Sequence, residues 1–410
     1  MKNVLIIASL YGSKRVVGLA KYLPDFGWSP TIITPPVSWQ PNLISGRVPT
    51  LDGVRIIETS YGGIKESLLR TGLSLSKIPN RTLSKILRFG GAIVNYPDSY
   101  SDWHRFALRA GREVLDKGSM DAIMSICPIT SHIVASQLKR EYGLPWICDF
   151  PDLWSQNHVY VYGRLRRKLD TRLELKTLDN VDILTTSSEP RSIRQKRLHV
   201  NKRVETITLG YDQQEYDAKD IRLTDKFTIT HTGSVYDNHH QSTSMLLVAL
   251  DNLIRQGKID RRDCEIHYYG NHLSCIDKIL QNLKLQDIVH QHGAIPHNDV
   301  ACIQMMSQVL LIMDWDDPSE LGAMPGKIFE YLGARRPILA TGGVKGNVVN
   351  KLIQETGSGY QAIDVGEAER VLLKCYQEWK RTGSVEYHGV GQERFTQREM
   401  ARKYVELLNE

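Results

Sequence analysis

No apolar run in this 410-residue sequence approaches the roughly 18 residues that a helical membrane span needs. The first apolar stretch, residues 4–10, is too short for a signal-peptide core with a cleavage site and reads as a buried strand. The expectation is therefore a cytoplasmic protein. Cysteine is sparse: the six (Cys127, Cys148, Cys264, Cys275, Cys302, Cys375) are scattered without a Cys-x-x-Cys pair. That spacing argues against a disulfide framework or a zinc site and for a reducing compartment. There is no Gly-x-Gly-x-x-Gly, which disfavours a dinucleotide cofactor, and Gly326-Lys327 is not a Walker A loop. Gly322 stands too close before it, and Ile328 follows where Ser or Thr is needed. No recognition motif or aromatic–basic stripe points to nucleic acid.

What is present fits a globular protein of two ordinary domains, with 41% hydrophobic and 24% charged residues. The formal charge of +6 is unevenly spread. Residues 1–210 carry 30 Lys and Arg against 18 Asp and Glu, and residues 211–410 carry 22 against 28, so +12 meets −6. A basic first half suggests an anionic surface or substrate, such as a membrane face or a lipid diphosphate.

Strand 4–10, turn Tyr11-Gly12-Ser13, helix 16–23 and strand 31–34 form a βαβ opening. This implies a doubly wound parallel sheet whose ligands sit at the carboxyl ends of the strands. Gly12 there either admits a ligand to the backbone or only makes the turn. Residues 39–100 are irregular, and segments 68–75 and 83–89 mix Leu and Ile with Arg and Lys. They read either as basic amphipathic segments for an anionic bilayer or as surface helices packed on the sheet. Strand 121–127 runs into Pro128 and His132; strand and loop 144–154 hold Asp149, Asp152 and Trp154. A lone His is usually structural, and the two carboxylates suit acid–base work or a helix cap equally well. The charged helix from Arg164 reads as a solvated face. A polar run, 213–226, marks the domain boundary. Strand 227–232 then ends in Gly233-Ser234, and strand 264–269 ends in Gly270. Strand 309–313 enters Asp314-Trp-Asp-Asp317, which reads as a solvated loop rather than a metal site. Residues 392–408 form an amphipathic helix.

The chain is organised around residues 319–343. Gly322, Pro325 and Gly326 make a loop, and Pro325 or Gly326 stands at a helix entrance. Ile328, Phe329 and Leu332 form the core face, while Lys327 and Glu330 share the other. A helix N-terminus already carries about +0.5 charge, so Lys327 in its first turn is unfavourable unless an anion meets it. A phosphate or diphosphate would fit, with Glu330 accepting hydrogen bonds from a sugar diol. The plain alternative is an exposed Lys–Glu pair on a surface helix.

Pro-Gly-Lys-Ile-Phe-Glu-Tyr-Leu followed by Arg-Pro-Ile-Leu-Ala resembles the nucleotide-sugar motif of GT-B glycosyltransferases, in the large retaining family four and its relatives. The resemblance covers nearly the whole chain and is most specific at 319–343. It implies an α/β GT-B fold: two Rossmann-like domains with an interdomain cleft, closing over the reactants. The domains would be 1–212 for the acceptor and 213–390 for the nucleotide sugar, with 391–410 a helix returning to the first. It gives Lys327 to the donor diphosphate and Glu330 to the ribose. Gly12, Gly233, Ser234, Gly270 and the loop Gly322, Ala323, Met324, Pro325 and Gly326 would line the donor, with Ile295 at the base. His132 becomes the catalytic residue that reaches the donor sugar beside Lys327; Asp149, Asp152 and Trp154 line the acceptor side. Three features depart from the pattern. Gly322 stands where a second glutamate is usual, Pro151 replaces an arginine, and no arginine–lysine pair follows Gly233.

The implied activity is transfer of a sugar, with retention, from a UDP- or GDP-sugar to a glycan, lipid-linked or small-molecule acceptor, as in surface polysaccharide synthesis. No cofactor or metal is expected. Peripheral contact with the inner membrane face through the basic half is a further expectation. A UDP-sugar 2-epimerase on the same fold and a non-catalytic partner subunit are the alternatives.

Overall fold

A computed structural model describes residues 1–37, 54–62, 96–160, 163–218, 221–233, 240–271 and 274–410. The expected basic segments 68–75 and 83–89, and Ser234, lie outside these. Two compact units emerge: Met1–Thr208 with Met400–Glu410, and Leu209–Glu399. The first break falls at 208–209 rather than the expected 212–213. Tyr211 forms a parallel bridge with Thr396, and any side chain at Gly210 would strike the Thr396 backbone. The return to unit 1 begins at Met400 rather than 391, part-way along the last helix.

Unit 1 has strands β1 (Lys2–Ala8), β2 (Trp28–Thr34), β3 (Arg55–Glu58), β4 (Ala122–Ile126), β5 (Trp146–Phe150), β6 (Ile183–Thr186) and β7 (Arg203–Thr206). They form one sheet in the order β3-β2-β1-β4-β5-β6-β7, with every pair parallel. Its helices are α1 (Lys14–Tyr22), α2 (His104–Leu115), α3 (Ile129–Tyr142), α4 (Arg164–Thr177) and α5 (Glu189–Leu198). Strands β4 and β5 are buried from end to end and β1 from Val4 onward, as expected of a sheet covered on both faces. Trp103, Trp146 and Phe150 are among the largest side chains of its core.

Unit 2 has strands β8 (Phe227–Thr232), β9 (Cys264–Tyr269), β10 (Val289–Gly293), β11 (Val309–Asp314), β12 (Ile338–Gly342) and β13 (Gly359–Ala362). Its helices are α6 (His240–Arg255), α7 (Ser274–Leu283), α8 (His297–Met306), α9 (Lys327–Ala334), α10 (Val348–Thr356) and α11 (Val365–Thr382); α12 (Gln397–Leu408) starts here and ends in unit 1. The sheet order is β10-β9-β8-β11-β12-β13. One face packs Phe227 and Ile229 against α6 and α11, and the other packs Leu310 and Ile312 against Ile328 and Phe329 of α9. Both sheets reverse direction beside their first strand, at β1/β4 and at β8/β11. Such switch points open a crevice at the strands' carboxyl ends, where ligands bind. Among the described residues no helix is long and apolar enough to cross a membrane.

Candidate functional site

The switch point of unit 2 gathers the donor-side residues. β8 runs straight into Gly233, whose φ of +113° belongs to glycine. Gly233 N–H donates to Tyr269 O, and Gly270 N–H donates to Gly293 O at 2.8 Å, so the ends of β8, β9 and β10 are laced together. Gly270, at φ +148°, lies so close that a Cβ there would strike the Gly233 carbonyl. A Cβ on Gly233 would land on Lys327 Cε and Nζ. The Lys327 ammonium, on the first residue of α9, is thereby set over bare backbone at the end of β8.

Side chains that the sequence pattern did not single out hold α9 in this place. The phenol of Tyr331, fully buried, accepts from Thr232 N–H at 3.1 Å and donates to Leu311 O at 3.2 Å, pinning the helix to β8 and β11. Gln304 of α8, also fully buried, donates to Glu330 Oε2 at 2.9 Å and to Thr232 Oγ1 at 2.8 Å. Its own carbonyl accepts from the Tyr216 hydroxyl at 2.8 Å. Glu330 is thus oriented by a neutral amide and remains half-buried. Pro325 O accepts from Ile328 N–H, closing the turn that starts α9. Ala323, Met324, Pro325 and Gly326 are half-buried along the entering loop, and Gly322 is buried. Glu320, out of register for the missing second glutamate, is itself buried and caps Gly322 N–H at 3.2 Å. Ile295 is half-buried between β10 and α8.

The acidic loop after β11 is absorbed by the fold rather than solvated throughout. Asp314 accepts from Asn347 Nδ2 at 2.7 Å and from Trp315 N–H at 2.8 Å; burial pushes its carboxyl up to about 6 against these bonds. Asp316 caps Gly343 N–H.

In unit 1 the structure corrects two expectations. His132 was expected to face a sugar at the strand ends, yet it has no exposed surface. Its Nδ1 lies 2.9 Å from Ser125 Oγ and 3.2 Å from Cys148 Sγ, and its ring packs 4.4 Å from that of Phe150. Burial pushes its pKa down to about 3, so the imidazole is neutral. Asp149 was expected on the acceptor side and is wholly buried as well. It accepts from the hydroxyls of Tyr404 and Thr185, each at 2.7 Å, and pairs with Arg15 Nε at 3.2 Å. Burial raises its pKa, while Arg15 and the two hydroxyls pull it back down. Both residues are core groups because β4 and β5 are covered on both faces.

Asp152 does reach the surface, its side chain 63% exposed, and pairs with Arg191 at 2.9 Å. Arg191, from α5, also donates to Pro151 O and to Ser187 Oγ. A guanidinium thus arrives through space beside the position where Pro151 replaces the usual arginine. Trp154 is buried, and Gly12 lies half-buried in the turn before α1.

No protein-family model matches the sequence, and no curated protein matches it by sequence. Solved structures do match in three dimensions. Sucrose-phosphate synthase from Thermosynechococcus elongatus aligns over 100% of this chain and 98% of its own, with a TM-score of 0.64 and 16% identity. WaaG, a glycosyltransferase involved in lipopolysaccharide biosynthesis, aligns over 98% and 95%, with a TM-score of 0.53 and 12% identity. UDP-GlcNAc 2-epimerase from Methanocaldococcus jannaschii aligns over 100% and 99%, with a TM-score of 0.52 and 10% identity. The chain has the α/β GT-B fold of two Rossmann-like domains and resembles glycosyltransferases built on it.

Proposed function

We propose that the chain is a glycosyltransferase that takes a sugar from a nucleotide sugar, UDP- or GDP-linked, and passes it with retention to a glycan, lipid-linked or small-molecule acceptor. Unit 2 binds the donor. The observation that carries this is the Lys327 ammonium set over Gly233 at the switch point, on the first turn of a helix. Backbone N–H groups, helix dipole and ammonium together stabilise charge growing on a departing diphosphate, which is the largest gain open to such a site. The leaving diphosphate then takes the proton of the acceptor hydroxyl. Glu330, aligned by Gln304, accepts from the ribose diol. Asp152 and Arg191 offer polar groups to an acceptor on unit 1. The setting proposed is cytoplasmic synthesis of a surface polysaccharide or glycoconjugate, with peripheral attachment to the inner face of the membrane.

A panel of UDP, GDP and dTDP and their sugars in a thermal-shift assay tests the reading, since a ligand bound to the native state alone raises the melting temperature. One nucleotide should stabilise the protein, and Lys327→Ala should abolish that shift. Failure of all of them would favour a non-catalytic partner subunit. The epimerase fold neighbour supports a second reading, UDP-sugar 2-epimerisation. Conversion of a UDP-sugar with no acceptor added would establish it.

A further inference from the structure

Helix α4 packs Leu173 against the core of unit 1, but its acids and its other leucines depart from a water-facing surface helix. Such helices bury their leucines and expose their acids. Here Asp170 and Glu174 are buried, at 2% and 0% exposure, while Leu165 and Leu169 are 74% and 47% exposed. The inward acids are fully engaged. Asp170 accepts from the Tyr160 hydroxyl and from Arg166 Nε. Glu174 accepts from Ser155 N–H at 3.0 Å and from Gln195 Nε2 at 3.3 Å.

The outer face is a sequence-regular mixture of leucine and cation. Leu165, Leu169, Arg172 and Lys176 stand three or four residues apart, with Lys168 three after Leu165 and four before Arg172, which gathers them along one side of a helix, and all five are exposed. Arg164 is exposed at the helix start, and Val159, just ahead, is 49% exposed. No acid lies on this face, because both acids of α4 point inward. Solvation alone explains the cations but not the leucines beside them.

We infer that the outer face of α4 is a docking surface for an anionic lipid bilayer, with Leu165 and Leu169 entering the headgroup layer and Lys168, Arg172 and Lys176 meeting lipid phosphates. Apolar side chains beside cations, with no acid of the helix on the same face, are the chemistry of interfacial helix binding. Each cation near an anionic leaflet contributes about fivefold to partitioning. This gives a location to the membrane attachment in the reading above, and its test is independent of the donor site.

The test is co-sedimentation of the full-length protein with vesicles of phosphatidylcholine alone and of an equal mixture of phosphatidylcholine and phosphatidylglycerol. The parent should sediment with the mixed vesicles and not with the neutral ones, and should be released by high salt. L165S/L169S should bind at least tenfold more weakly, and K168Q/R172Q/K176Q more weakly still. Circular dichroism and the nucleotide-induced thermal shift, measured on the same proteins, show that the fold and donor site are intact. Absence of binding to mixed vesicles, or variants that bind like the parent, would overturn the inference even if the nucleotide shift is present. Binding with no nucleotide shift would leave the docking surface standing and remove the donor site.

Discussion

Arg15 and Tyr404, 389 residues apart in sequence, are joined inside unit 1 by a 2.8 Å hydrogen bond from Arg15 Nη1 to the phenol oxygen. Arg15 also donates to Ile207 O at 3.0 Å and pairs with Asp149, and Tyr404 donates onward to the same carboxylate. Every member of this network is buried. The arrangement ties the start of α1, the middle of the sheet and the last helix to one charge pair.

Breaking that network should cost far more from one side than from the other. Arg15→Met leaves the Asp149 carboxylate buried without its cation and should destabilise by about 3–5 kcal/mol. Tyr404→Phe removes hydrogen bonds to two charged groups while the ion pair persists, at a cost of about 1.5–3 kcal/mol. Urea denaturation followed through the tryptophans of unit 1 measures both. Equal losses would mean that the charge pair is not the dominant element.

At the donor site, Lys327→Ala should reduce turnover by roughly 10²–10³-fold, the range found when one donor to a developing oxyanion is removed. Melting in the absence of nucleotide should hardly change. Gly233→Ala is the complementary probe. It forces a side chain onto Lys327 and onto a backbone at φ +113°, so it should cost about 1–3 kcal/mol in stability as well as nucleotide affinity. Unchanged turnover in Lys327→Ala would remove the mechanism proposed.

The Asp314 carboxyl, raised by burial from 3.8 to about 6, binds its proton more tightly in the folded than in the unfolded protein. Its contribution to stability is therefore complete below about pH 4 and is lost as the pH rises through 6. The gap of roughly two pH units, at 1.36 kcal/mol each, sets an upper bound of about 3 kcal/mol. Asp314→Asn should remove this slope from the unfolding free energy of unit 2. The slope surviving between pH 4 and 6 would show that another group carries it.

His132 works in the opposite sense. Its imidazole, pushed down by burial from 6.5 to about 3, is neutral in the fold and takes up a proton on unfolding. Stability from this source is present above pH 6.5 and is lost as the pH falls toward 3. His132→Asn should be less stable than the parent at pH 7, because the ring leaves Phe150, yet lose less on acidification to pH 4. An acid slope identical to the parent's would argue against a buried neutral ring.

The sequence was informative where a feature repeats locally. The βαβ opening follows from an apolar run, a Gly-Ser turn and an amphipathic helix. Helix α9 follows from Pro325-Gly326 and the spacing of Ile328, Phe329 and Leu332, and Gly233 and Gly270 mark strand ends by residue type alone. Partners brought from elsewhere in the chain could not be read. Arg191 reaches the neighbourhood of Pro151 across 40 residues, and Gln304 orients Glu330 from a different helix. His132 and Asp149 misled because polar residues near strand ends so often face ligands, whereas here Ser125 and Cys148 meet the His132 ring, and Thr185, Arg15 and Tyr404 meet Asp149, inside the core. Helix α4 was legible as a charged, solvated helix, but the inward turn of its acids was not, since their partners stand at 155, 160 and 195.

Lys2 Nζ and Trp28 Nε1 both donate to Asn409 Oδ1, at 3.2 and 3.3 Å, close by the helix that brings Tyr404 to Arg15. The unit made first during synthesis therefore lacks one of its own pieces until residue 404 has been added, whereas all of 209–399 is already in hand. The order of completion is the reverse of the order of translation. Deletion of the last helix should accordingly leave the later-made unit folded and the earlier-made one open to proteases.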